Sequence, residues 1–314
     1  MKKILLASIA TAAMLSLAAC SSNSNQKSST SSKNEKVTFH ALDGDVKIPK
    51  NPQRIAVQNY PDEVATLGGN VVGTDSWAFP NPYLSANQKK NMKDLGAPSF
   101  NLEKLIAQKP DLIITVDKDQ VADYQKIAPT VLVNYQDLNN QTKSLNFFAK
   151  LLNRESDKTK FEKQFTKTAD EQKAKLSKAG IKPSNLTASI LELQENKIYA
   201  YGDDFARGGQ TLTTGLGFKE SPEMSALSKG AGYAEVNAES LSKFDADYIF
   251  VDYKSADKAQ FTALENNPTW KNLKAVKEGH VITMDYNKVY FFSGPTATEK
   301  QLSMYTDAIL KASK

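Results

Sequence analysis

From Arg54 onward, short apolar runs alternate with amphipathic stretches: RIAVQ, PDEVATLGG and NVVGTD, then PDLIITVD and TVLVNY. Apolar runs of this length bounded by Gly, Pro or Asp read as buried strands, and strand, helix and strand in succession predict an α/β layer with mostly parallel pairing. Gly68 and Gly69 stand where the first helix must stop, because a residue without Cβ enters the left-handed conformation of a helix end at little cost. Between Thr142 and Gly180 the pattern changes to a long charged stretch with apolar residues at Phe161, Phe165, Ala169 and Leu176, one face of a helix. With Ser156 as N-cap and Gly180 as stop, this helix should hold about 23 residues and run roughly 35 Å, the height of two domains. Strands then resume as TASILELQ, KIYAYG, DYIFVD and HVITMD, and a last helix is predicted from Thr296 to Lys311.

Residues 101–117, NLEKLIAQKPDLIITVD, align without a gap on residues 237–253, NAESLSKFDADYIFVDY. Asn101, Glu103, Leu105, Asp111 and Ile113 recur as Asn237, Glu239, Leu241, Asp247 and Ile249. Each copy describes one unit: an Asn N-cap, a first-turn Glu, a short helix, and a buried strand opened by Asp. The fold expected is therefore α/β, with two similar α/β lobes over 36–153 and 181–314, joined by the long helix 154–180 and enclosing a ligand cleft. One rigid helix resists bending, so only a small closure of the cleft is expected.

Lys2 and Lys3 precede an apolar stretch, Ile4 to Ala19, that ends in Leu17-Ala18-Ala19-Cys20. That is the order of a signal peptide over 1–20, and its apolar part is shorter than a comfortable membrane span. Residues 21–35, SSNSNQKSSTSSKNE, hold no apolar side chain and read as a flexible tether. The formal charge of +5 falls to +3 without Lys2 and Lys3, too small an excess for a nucleic-acid binder. One Cys and two His exclude a disulfide framework, a thiolate zinc site and a histidine cluster for direct metal capture. There is no G-x-S-x-G elbow and no G-x-G-x-x-G after the first strand, so hydrolase and dehydrogenase readings fall away and no catalytic residue is assigned. The chain reads as a binder rather than an enzyme.

The end of the signal segment resembles a lipobox. Together with NPQRIAV, NLEKLIAQKPDLII, KIAPTV, YGDDFARGG, WKNLKAVKEGHVITMD and YFFSGP, it makes residues 36–314 resemble the iron-siderophore binding lipoproteins of bacterial ABC importers. The resemblance implies that Cys20 is lipidated and holds a monomer on the outer face of a cell membrane, in a Gram-positive cell. It further implies that the ligand is a ferric siderophore, with no cofactor and no metal held directly by side chains. The implied partner is an ABC permease dimer with its ATPase.

Within YAYGDDFARGG, Tyr199 and Tyr201 are two apart on a predicted strand and point the same way. By its residues alone, the segment that follows reads first as a Gly-rich loop with a surface arginine. The resemblance to ferric-hydroxamate binders implies instead that Tyr199, Tyr201, Phe205 and Arg207 line the cleft, with the Arg207 fork donating to hydroxamate oxygens. Its loss should then weaken binding and spare the fold. Only Arg54, Arg154 and Arg207 are arginines, which suits a neutral ferric trihydroxamate better than a polyanionic ferric citrate. Tyr60, Trp77, Phe79, Tyr83, Phe291 and Phe292 are further aromatic candidates, each as readily explained by core packing, and Tyr290 is preferred in the last group. Glu103 and Glu239 gain from their helix N-termini, which explains them completely; the resemblance adds a docking role on the two-fold permease. Catecholate or citrate siderophores, haem and cobalamin fit the same outline, and a non-transport surface lipoprotein is the alternative of another class.

Overall fold

The computed structural model describes residues Glu35 to Ser313. Cys20, the signal segment and nearly all of the tether lie outside these residues. Among the described residues no helix is long and apolar enough to cross a membrane.

The described chain opens with an antiparallel hairpin, β1 (Lys36–Ala41) and β2 (Gly44–Pro49), turning at Leu42 and Asp43. The N-terminal lobe then builds an all-parallel sheet from β3 (Ile55–Val57), β4 (Val71–Thr74), β5 (Lys93–Asp94), β6 (Leu112–Thr115) and β7 (Thr130–Leu132), in the order β5-β4-β3-β6-β7. Its central strands are buried on both faces, which is why they read as unbroken apolar runs. Ile55, Val57, Leu112 and Ile114 pack into one core, and the alternate residues Ala56 and Ile113 pack into another on the opposite face.

The C-terminal lobe contains β8 (Thr187–Gln194), β9 (Lys197–Tyr201), β10 (Lys219–Glu220), β11 (Tyr233–Val236), β12 (Tyr248–Tyr253) and β13 (Val281–Asp285). Its sheet runs β11-β9-β8-β12-β13, with β10 beside β8. Pairing is parallel except around β9, which is antiparallel to both β8 and β11. Only Glu195 and Asn196 separate β8 from β9, with φ of 52° and 65°. Two left-handed residues make a tight hairpin, and so short a link has no room for a parallel crossover.

The internal repeat performs the same task twice. Asn101 and Asn237 each accept from a main-chain amide three residues on, at 2.9 and 2.8 Å. Asp111, just before β6, accepts from the amides of Gln53 and Arg54 at 2.7 and 2.8 Å and so ties down the start of β3. Asp247, just before β12, accepts from the Thr187 amide at 2.7 Å and ties down the start of β8. Both strands so anchored are the parallel neighbours of the repeat's own strand.

The connecting helix spans Glu155–Lys178, 24 residues. Phe161 packs against the N-terminal core, whereas Phe165, Ala169 and Leu176 pack against the C-terminal one. Ser156 is not its N-cap. The preceding helix, Gln141–Leu152, ends in left-handed Asn153, and the chain re-enters helix at once with Arg154 as N-cap, leaving Ser156 in the first turn. Nor does this helix join the lobes alone. The C-terminal helix, Pro295–Ala312, is capped by Asp62 of the other lobe, which accepts from the amides of Thr296 and Ala297 at 3.3 and 3.0 Å. Gly294 has to be glycine, since a Cβ there would meet Asp62 Cβ at 2.5 Å.

Candidate functional site

Parallel strands deliver ligand sites at their C-terminal ends, and the N-terminal lobe follows that rule. After β3 the chain turns at Asn59 (φ 68°) and starts a short helix at Pro61, bringing Tyr60, Asp62 and Glu63 to the lobe interface. After β4, Asp75 gathers the amides of Asn59, Trp77 and Ala78 at 2.7, 3.0 and 3.0 Å, which fixes the loop carrying Trp77.

In the C-terminal lobe the chain leaves β9 through a loop in which Ala206, Arg207 and Gly208 all have positive φ, of 62°, 50° and 78°. For the two non-glycine residues this costs on the order of 1–2 kcal/mol each. Specific contacts hold the conformation: the Arg207 amide donates to Val289 O at 3.1 Å, and the Tyr305 hydroxyl donates to Arg207 O at 2.7 Å. A Cβ at position 208 would lie 1.9 Å from that hydroxyl, so only glycine fits.

The loop turns the Arg207 side chain inward. It is 3% exposed, and its Nε donates to Glu192 Oε2 at 2.9 Å, a carboxylate with no exposed surface. The guanidinium lies 4.1 Å from the Tyr201 ring centre and 4.6 Å from that of Tyr290, a cation between two π faces. Nη1 is buried without a hydrogen-bond partner. Asp252 pairs in register with Glu192 on the neighbouring strand. Burial, and then the adjacent Glu192, raise its carboxyl well above the usual range.

Between the lobes lies a cavity of about 220 Å³. Tyr60, Trp77 and Tyr135 wall it from one side, and Phe205, Phe291 and Phe292 from the other. Asp62, Glu63 and Asp75 line it as well, and among the described residues no Lys, Arg or His does. Polar bridges close its edge: Asn139 Nδ2 donates to Asp204 at 2.7 Å, and the Gln141 amide donates to Gln210 Oε1 at 2.6 Å.

Of the residues the sequence singled out, Tyr60, Trp77 and Phe205 are on the cavity wall. Tyr201, Arg207 and Tyr290 form the layer behind it, and Tyr199 is off the wall, near Tyr201 and Tyr233. The expectation that Arg207 is an open donor whose removal spares the fold needs correction, because its charge neutralises a fully buried carboxylate. Tyr290 stacks on Tyr286 at 4.5 Å and turns toward Arg207, leaving the wall to Phe291 and Phe292. Phe79 joins the N-terminal core, and the Tyr83 hydroxyl donates across the lobes to Lys288 O at 2.9 Å. Glu63 and Gln141 were not anticipated; both sit inside ordinary helical patterns. Glu103 and Glu239 are exposed, each in the first turn of an Asn-capped helical segment, and Leu102 and Ile106 beside Glu103 are exposed too.

Comparison with known proteins agrees with this geometry. Residues 60–287 match the family model described as periplasmic binding protein. The chain is 36% identical to the iron(3+)-hydroxamate-binding protein FhuD of Bacillus subtilis, over 99% of this chain and 98% of that one. It is 33% identical to the iron(3+)-hydroxamate-binding protein YxeB of the same organism, over 99% and 97%. The structure of FhuD2 from Staphylococcus aureus with bound ferrioxamine B superposes with a TM-score of 0.70 at 30% identity, covering 84% of this chain and 100% of that one. With two lobes, a cleft between them and relatives matched over nearly their whole length, the chain belongs to the periplasmic binding protein family.

Proposed function

We propose that this protein captures a ferric siderophore of the hydroxamate type in the inter-lobe cleft and presents it to an ABC permease. The observation that carries the ligand class is the charge of the cavity, where three carboxyl side chains and no basic one meet six aromatic rings. A polyanionic chelate such as ferric citrate needs cationic forks to replace its hydration, and the one arginine nearby is already neutralised by Glu192. A neutral or cationic ferric hydroxamate suits such walls, because rings cover its organic arms while leaving a polar edge. The hydroxamate-binding names of the relatives point the same way. Arg207, held behind the rings by Glu192, serves the ligand indirectly, by packing against Tyr201 and Tyr290 beneath the wall.

Delivery would use Glu103 and Glu239, equivalent carboxylates in equivalent segments of two lobes, which a two-fold partner can meet simultaneously. Cys20 would carry the lipid that holds the protein at the membrane. The ligand assignment is tested by fluorescence. Trp77 is 49% exposed on the cavity wall, whereas Trp270 is buried in the C-terminal core. A ferric trihydroxamate should quench emission saturably, and Trp77→Phe should remove most of the change. Saturable quenching by ferric citrate or haem alone would overturn the assignment.

A further inference from the structure

One corner of the cavity has a chemistry that the aromatic walls do not explain. Tyr60 is 4% exposed, and its hydroxyl has no hydrogen-bond partner. Gln141 is 7% exposed and lines the same cavity; its Oε1 is also unpartnered. Glu63, 6% exposed, lies three residues after Tyr60 and beside Ser144, which is itself three residues after Gln141. The other two carboxyls of the lining are already committed: Asp62 caps the C-terminal helix, and Asp75 holds three loop amides. Glu63 is therefore the lining carboxyl left for a ligand.

Two vacant oxygen acceptors around a carboxyl, in a wall without a basic side chain, match a group that has several donors, no acceptor and a positive charge. A primary ammonium is that group, with three N–H donors. We propose that the corner formed by Tyr60, Glu63 and Gln141 is a subsite for an ammonium arm, so that the protein prefers ferric chelates carrying a free primary amine. This rests on the reading that the cleft takes a ferric hydroxamate, and adds to it a selectivity between hydroxamates.

Electrostatics favour the same occupant. Burial, and then the neighbouring Asp62, push the Glu63 carboxyl up to about 8, so in the empty cleft at neutral pH it holds a proton. An ammonium beside it supplies the missing countercharge, and the proton leaves to solvent as the ion pair forms. Tyr60 and Tyr135, the other ionisable groups close to Glu63 in the wall, have burial-raised hydroxyls and stay neutral. The rings of both add faces on which a cation is attracted.

The test compares two ligands that differ only at this arm: a linear ferric trihydroxamate ending in a primary amine, and the same chelate with that amine acetylated. Titration of the purified protein should show the free-amine chelate binding about tenfold more tightly. Glu63→Gln keeps the shape and removes the charge, and should bring the ratio of the two dissociation constants close to one. Tyr60→Phe, which removes one acceptor and little volume, should lower the ratio part of the way and guards against a folding defect in the first variant. Equal affinity of the wild-type protein for both chelates, or a ratio unchanged in Glu63→Gln, would overturn the subsite and leave the hydroxamate reading standing. Binding of neither chelate would overturn both.

Discussion

The two walls of the cleft solve opposite problems with charge. On the C-terminal side a cation, Arg207, is sealed behind the rings and consumed by a buried carboxylate; on the N-terminal side a carboxyl, Glu63, stands in the wall without a cation. One lobe has spent its charge on its own architecture, and the other keeps it for what enters. The difference is not visible in the repeat, which makes the lobes look alike, because the repeat covers a helix, the strand after it and the ties at the starts of the neighbouring strands, and not the loops that line the cleft. It arises in the loops that follow β3 and β9, where the two lobes have nothing in common.

Removing the C-terminal charge should have the largest effect. Arg207→Ala leaves Glu192 buried next to Asp252 with no cation, and breaking such a pair by removing one partner costs about 3–5 kcal/mol. Urea denaturation should register this loss. The double variant Arg207→Met with Glu192→Leu should recover most of it without recovering chelate affinity. A single variant as stable as wild type would erase the contrast between the walls.

The N-terminal wall is probed by pH. The Glu63 carboxyl titrates near 8 in the folded protein and near its ordinary 4.5 when unfolded, so between these values the folded state holds a proton that the unfolded state has released. Its contribution to stability is therefore complete below about pH 4.5 and is lost as pH rises toward 8, by a few kcal/mol at most. Asp62 and Asp252, also raised by burial, act in the same direction. Melting temperature should fall from pH 5 to pH 8, and Glu63→Gln should make that fall shallower; an unchanged slope would place the carboxyl in water.

The smallest effect on the protein itself is expected at the shared feature. Glu103→Arg and Glu239→Arg together should shift stability by only tenths of a kcal/mol and leave chelate affinity alone. In cells where this protein is the sole receptor, they should nearly abolish uptake. Normal uptake by the double variant would return both residues to their helix ends.

How much of this was legible follows from what kind of interaction each feature depends on. The central strands were legible because burial on both faces writes an apolar run directly into the chain, and the repeat exposed the lobes because capping by Asn101 and Asn237 is local. The β1–β2 hairpin carried a signal of its own, an Asp-Gly pair between alternating runs, upstream of the point at which the α/β alternation begins. Arg207 was found, but its partner was not: Glu192 is one acidic residue within TASILELQ, and only the folded sheet brings the two within 2.9 Å. Glu63 was hidden for the opposite reason, since an acid in the first turn of a helix is so well explained locally that nothing prompts a search for a second role.

The contact between Gly294 and Asp62 bears on rates. With the Gly294 backbone pressed against the Asp62 side chain at one end of the cleft and a continuous helix bridging the cores, the binding surfaces stand assembled before any ligand arrives. Association then waits on collision and loss of water rather than on a swing of domains, so capture should be fast and nearly insensitive to solvent viscosity beyond its effect on diffusion. The lifetime of the complex is left to the aromatic walls, and a tighter binder would come from slower escape rather than quicker entry.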